Sequence, residues 1–112
     1  MWLTELMKIG AVERAVVASA DGLVIEAGGL KGPEPEFLAA EIAAIRNALE
    51  GLERRLGGVT RRFAVTLDTR ELLVVCEEEV CVGAVIQRGP ERKRVGQELV
   101  RLARMIAEEL GG

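Results

Sequence analysis

The chain contains no histidine and no tyrosine, and Ser19 is its only serine. Without histidine there is no Ser-His-Asp triad, no H-E-x-x-H zinc site and no imidazole general base, which closes most common hydrolase designs. Two cysteines, Cys76 and Cys81, and scattered carboxylates do not make a zinc site either. The basic residues are spread along a chain of net charge -3, so the footprint of a nucleic-acid binder is missing. Long apolar runs are missing too: Leu72 to Cys76 and Val80 to Ile86 fall far short of the ~20 residues of a membrane span. Met1 to Lys8 has an acid inside it and neither a basic n-region nor an apolar h-region, so the expected compartment is the cytosol. Two cysteines are too few for a disulfide framework, and in that compartment their expected resting state is the thiol.

What is present is a core. The chain has 112 residues, 49% of them hydrophobic, which suits one globular domain spanning residues 1–112. Its centre is the stretch Phe37 to Leu56. Leu38, Ile42, Ile45, Leu49, Leu52 and Leu56 recur at spacings of four and three, the signature of one helical face, and that stripe is expected to be buried. Beside it lies a second stripe, Phe37, Ala40, Ala44, Ala48 and Gly51, made mostly of small residues. Glu36, Arg46, Glu50, Glu53 and Arg54 occupy the remaining arc. A helix that covers only its own sheet needs one apolar stripe, so the second implies close approach of another backbone, read here as a second copy of the protein.

Around this helix the rest falls into order. Trp2, Leu3, Leu6, Met7 and Ile9 cluster on a short helix ending near Gly10. Arg14 to Ala20 and Leu23 to Ala27 form a hairpin about Asp21-Gly22, a dipeptide suited to a type I′ turn. Gly28 to Pro35 is a connecting loop: it lacks the spacing of a phosphate-binding loop and carries Glu34 and Glu36 where a phosphate would approach. Pro35 fits the first helical turn. After Gly57-Gly58 come three strands. Thr60 to Leu67 sets Phe63, Val65 and Leu67 against Arg62, Ala64 and Thr66, the pattern of a sheet edge. Glu71 to Cys76 and Val80 to Gln87 follow, with Glu77, Glu78 and Glu79 at their tip. Gly83 weakens an otherwise apolar strand, which implies something packed close against the backbone. A last helix carries Val95, Leu99, Leu102, Ile106 and Leu110 on one face, after a basic cluster around Arg88 to Arg94 read as solvated charge. The result is α+β: a five-stranded antiparallel sheet in a three-layer sandwich, in the order αββαβββα.

Val12 to Ile25, the Ala-rich central helix, Glu71-Leu72-Leu73-Val74-Val75 and Val95-Gly96-Gln97-Glu98-Leu99 resemble the Roadblock/dynein light chain family. Its bacterial members include the MglB-type partners of Ras-like gliding-motility GTPases. The resemblance implies a profilin-like roadblock fold and a homodimer in which the third strand pairs with its copy and the central helices pack together. It also implies a regulator or scaffold that binds a small Ras-like GTPase, without chemistry or a cofactor of its own.

On this reading the dimer surface comprises Phe37, Ala40, Glu41, Ala44, Ala48 and Gly51 of the helix with Arg55, Arg62, Phe63 and Val65. Glu41 sits between the two stripes, at the rim or paired across the dimer with Arg55 or Arg62, whereas Glu53 serves as a neutral control position. Arg46, Arg61, Arg62, Arg70 and Arg88 are candidates for an arginine supplied to a GTPase. Two alternatives stand beside this one. One is a structural adaptor without a GTPase partner. The other is a redox sensor in which Cys76 and Cys81 lie opposite each other, although the three acids at the tip oppose thiolate formation by like-charge repulsion.

Overall fold

The computed structural model describes residues 1–111. Among these residues nine elements follow one another: α1 (Thr4–Met7), β1 (Val12–Ser19), β2 (Val24–Gly28), α2 (Pro35–Ala48), α3 (Glu50–Leu56), β3 (Arg62–Thr66), β4 (Arg70–Glu77), β5 (Val80–Gln87) and α4 (Arg92–Gly111). The five strands form one antiparallel sheet in the order β2-β1-β5-β4-β3. α1 and α4 cover one face and α2 the other, giving the three layers expected.

Strand alternation produces two cores. Ala15 and Val17 of β1, Leu73 and Val75 of β4, and Val82, Ala84 and Ile86 of β5 meet Leu99, Leu102 and Ile106 of α4. The intervening residues Val16, Ala18, Val74, Cys76 and Val85 meet Leu38, Ala39 and Ile42 of α2. The central strands are thus apolar on both faces because a helix stands on each. The first amides of α1, like those of any helix, have no partner within it, and the Glu26 carboxylate of β2 accepts the Leu3 N–H at 2.8 Å.

Gly83 has the close neighbour its position implied. A Cβ built there would lie 2.7 Å from Ile42 Cδ1, so the missing side chain is what lets α2 sit down on β5. The β1–β2 turn differs from expectation. The Gly22 N–H donates to Ser19 O at 3.0 Å, but Gly22 alone is left-handed, with φ 87°. A type I′ turn also requires positive φ at the residue before it, and Asp21 does not have one.

The central helix is also shorter than its periodicity suggested. It breaks for one residue at Leu49, whose N–H is shared between Ile45 O and Arg46 O. Leu38 and Ile42 are buried and Ile45 and Leu49 half-buried, whereas Leu52 and Leu56 are 56% and 77% exposed. The break at Leu49 is where the helical path leaves the sheet: α2 packs chiefly over β1 and β2, and none of the residues of α3 is buried.

The cysteines depart from the thiol state expected of them. Cys76 and Cys81 are register partners flanking the tip Glu78-Glu79, and their sulfurs are bonded with the Cα atoms 4.1 Å apart. The Cys76 N–H points away from β5, to Arg61 O at 2.7 Å, so the disulfide spans a non-hydrogen-bonded pair, where cross-strand side chains approach most closely. Both residues are buried.

Candidate interaction surface

The sheet places its last strand, β3, at an edge, hydrogen-bonded to β4 alone. The chain reaches that edge from α3 through Gly57-Gly58-Val59-Thr60-Arg61. Glu53 of α3 holds this link: its carboxylate accepts the Thr60 amide at 2.5 Å and the Thr60 hydroxyl at 2.7 Å. Those two bonds, the hydroxyl's foremost, keep the Glu53 carboxyl below its usual range. Glu53 is therefore not the neutral position that its place on the polar arc suggested.

The small-residue stripe lies on the outside. Ala40, Ala44, Ala48 and Gly51 are exposed, and Phe37 is 58% exposed. Leu52, Leu56 and Val59, in the stretch between α2 and β3, are exposed as well, apolar residues that the described residues leave uncovered. Sequence reasoning assigned Leu52 and Leu56 to the core and did not select Val59. The available signal was Gly51: a glycine inside a helix is destabilising relative to alanine, and here a Cβ would meet only the Arg54 guanidinium, at 3.9 Å. Nothing among the described residues requires it. Phe63 and Val65 are half-buried, and Phe63 packs against the α2 core. Glu41, Arg55 and Arg62 are exposed, and their side chains make no hydrogen bond or ion pair among the described residues.

The five candidate arginines separate by what they already hold. Arg61 pairs with Glu77 at 2.9 Å, and Arg70 with Glu13 at 2.7 Å. The Arg70 hydrogen bond, helped by Gln87, holds the Glu13 carboxyl below its usual range. Arg88 donates to the carbonyls of Leu67 and Asp68 at 3.4 Å. Arg46 and Arg62 have no such partner among the described residues.

An ion pair not anticipated from sequence lies on the other face. Glu71, in β4, is 3% exposed and takes both arms of Arg92, at 2.8 and 3.1 Å, with the Thr66 hydroxyl at 2.6 Å. Arg92 above all, and Thr66 with it, holds the Glu71 carboxyl below its usual range against the opposing effect of burial. The pair fastens the start of α4 to the sheet beside β3. Among the described residues no three His, Cys, Asp or Glu side chains converge as metal ligands would, and no helix is long and apolar enough to cross a membrane. What the surface offers is shape, apolar area and an open strand edge: the means of binding a protein.

The family model for the Roadblock/LC7 domain matches residues 1–86. Among solved structures, the chain is similar to a Roadblock/LC7 domain from Streptomyces avermitilis, with TM-score 0.85 and 24% identity over 99% of this chain and 97% of that one. It is similar to Myxococcus xanthus MglB, with TM-score 0.86 and 13% identity over 98% and 92% of the two chains. Profilin II of Acanthamoeba castellanii aligns with TM-score 0.66 and 13% identity, covering 92% of this chain and 90% of that one. No curated protein sequence matches the chain. At these identities the structural likenesses establish the architecture, a profilin-like roadblock fold.

Proposed function

The chain belongs to the Roadblock/LC7 family, and from that premise we propose that it works in the cytosol as a homodimer that binds a small Ras-like GTPase and modulates its nucleotide hydrolysis without chemistry of its own. The observation that carries the dimer is the uncovered face of α2 and α3. Small residues at Ala40, Ala44, Ala48 and Gly51 allow two helices to approach closely, while Leu52 and Leu56 supply apolar area that α3 buries nowhere else. The open edge of β3 lies at the end of the same segment, so one two-fold partner covers both helix and edge. Phe63 and Val65 extend the contact from the strand. Glu41 then finds Arg55 on the other copy, which supplies the partner each lacks within one chain, whereas Arg62, the other candidate, alternates onto the α4 face of β3.

Regulation of a GTPase proceeds by supplying an arginine or by ordering the GTPase's own catalytic groups. Of the five candidates, Arg46 and Arg62 are the ones not engaged by a carboxylate or a carbonyl. The test is single-turnover GTP hydrolysis by Ras-like GTPases encoded in the same genome, with and without this protein. A change of rate that saturates with protein concentration supports the reading, and its loss on substituting Arg46 or Arg62 identifies a supplied arginine. Absence of both binding and rate change across all such GTPases refutes GTPase regulation, while a dimer that persists in that case is the adaptor alternative.

A further inference from the structure

α4 packs on β4 and β5 and leaves the last strand of the sheet bare on that face. Arg62, Ala64 and Thr66, which alternate onto it, are all exposed. Between them and the helix runs a groove of about 210 Å³, floored by Ala64, Leu73 and Leu99 and bordered by Arg62, Arg92 and Gly96.

Gly96 has no reason within the chain. A helix-interior glycine is destabilising relative to alanine, so its presence needs a physical cause. At Gly83 the cause is Ile42, 2.7 Å from where a Cβ would stand. At Gly96 a Cβ would meet nothing within 4 Å, and the clearance opens into the groove.

The groove also has a sign. Arg62 and Lys93 line its outer part without a carboxylate partner among the described residues. The one acid at its end, Glu71, is buried and already bound by Arg92, and Arg88 beside it holds only backbone carbonyls. A chain of net charge -3 thus gathers uncompensated cations along an apolar floor.

We propose that this groove is a docking site for an extended acidic segment of another protein. A small or apolar side chain seats over Gly96 against Leu73 and Leu99, and flanking carboxylates meet Arg62 and Lys93. The apolar floor and the single glycine select for a peptide over a simple anion, which would need only the charges. The site lies on the α4 face, opposite the helices assigned to self-association, and meets the proposed dimer surface only at the β3 edge, where Arg62 stands.

The test begins with a random-peptide display library selected on the immobilised wild-type protein, the selected peptides then being labelled and titrated by fluorescence anisotropy. Peptides with Asp or Glu flanking an apolar residue are expected, binding more weakly as salt rises. Affinity is expected to fall about tenfold or more in Gly96→Gln and in Lys93→Glu. Gly96→Gln removes a helical glycine in open space, so its Tm is expected to rise as its binding falls, which separates an occupied groove from a misfolded variant. The proposal is overturned if no peptide is enriched, if the selected peptides lack acids, or if they bind Gly96→Gln as well as wild type. A change of oligomeric state in Gly96→Gln assigns the groove to a second copy instead and overturns it equally.

Discussion

The contact between Gly83 and Ile42 sets the height of α2 above the sheet, and a double-mutant cycle measures it. In Gly83→Ala the new methyl lies 2.7 Å from Ile42 Cδ1, well inside contact distance, so the helix must lift or Ile42 must leave its rotamer. Overpacking of this kind costs ~1–3 kcal/mol, offset by ~0.4–1 kcal/mol from the stiffer unfolded chain, leaving a net loss of about 0–2.6 kcal/mol. Ile42→Val removes the same Cδ1 and by itself costs ~0.5–1.5 kcal/mol. In the double variant the added methyl occupies the space vacated, so the loss is expected to match Ile42→Val alone or less. The unfolded-chain offset cancels in the cycle, so the coupling is the overpacking cost itself, about 1–3 kcal/mol, clear of the ~0.3–0.5 kcal/mol within which independent sites add. Urea unfolding at constant m-value measures all four corners of the cycle. At ~4 °C per kcal/mol for a domain near this size, the same ranking appears in Tm. Additivity of the two substitutions refutes the reasoning, since it means that Ile42 yields freely and Gly83 is not what seats the helix.

Two further outcomes are expected. Because the Glu71 carboxyl is held below its usual range by Arg92, and by Thr66 in support, its contribution is fully present above the unfolded value of ~4.3 and is lost as pH falls through the lower folded value. The Tm gap between wild type and Glu71→Gln is therefore expected to be widest near neutrality and to shrink below about pH 4; a gap independent of pH contradicts the pairing. The disulfide closes a short loop, with a sequence separation of 5, for which chain entropy gives about 2 kcal/mol. Strong reductant, or Cys76→Ala with Cys81→Ala, is expected to lower stability by that amount or less without unfolding the sheet. Native alkylation without reductant is expected to label neither cysteine, and rapid labelling of both contradicts the bonded state.

Several of these features were legible in the sequence because they depend on local rules. The β1–β2 hairpin follows from β-branched runs about Asp21-Gly22, and the opposition of Cys76 and Cys81 follows from a two-residue tip. Gly83 was legible as a close approach because a strand glycine has few other uses, although the approaching atom, on Ile42, was not. The exposure of Leu52 and Leu56 was illegible for a physical reason: periodicity says which residues share a helical face, not where the helix breaks and leaves the sheet, as it does at Leu49. The turn type failed similarly, since Asp-Gly tolerates positive φ without requiring it at both residues. The Glu71–Arg92 pair joins residues 21 positions apart and appears only once α4 is placed over β4. The bonding state of the cysteines rests on redox context, which composition alone misjudged. The small-residue stripe of α2, read from sequence as the contact with a second copy, is exposed in the single chain, and its partner is the central proposal.

That proposal is tested most directly by molar mass in solution, from light scattering coupled to size exclusion across a dilution series. Wild type is expected to run at twice the 12.1 kDa of the chain. Ala44→Arg and Ala48→Arg, each placing a long cation on the small-residue stripe, are expected to run as monomer or to aggregate. Arg104→Glu, exposed on α4 away from that stripe, is the control in place of Glu53 and is expected to leave the dimer unchanged. A wild-type monomer at every concentration, or an unchanged dimer in both alanine variants, contradicts the assignment of the α2–α3 face as the surface that binds a second copy.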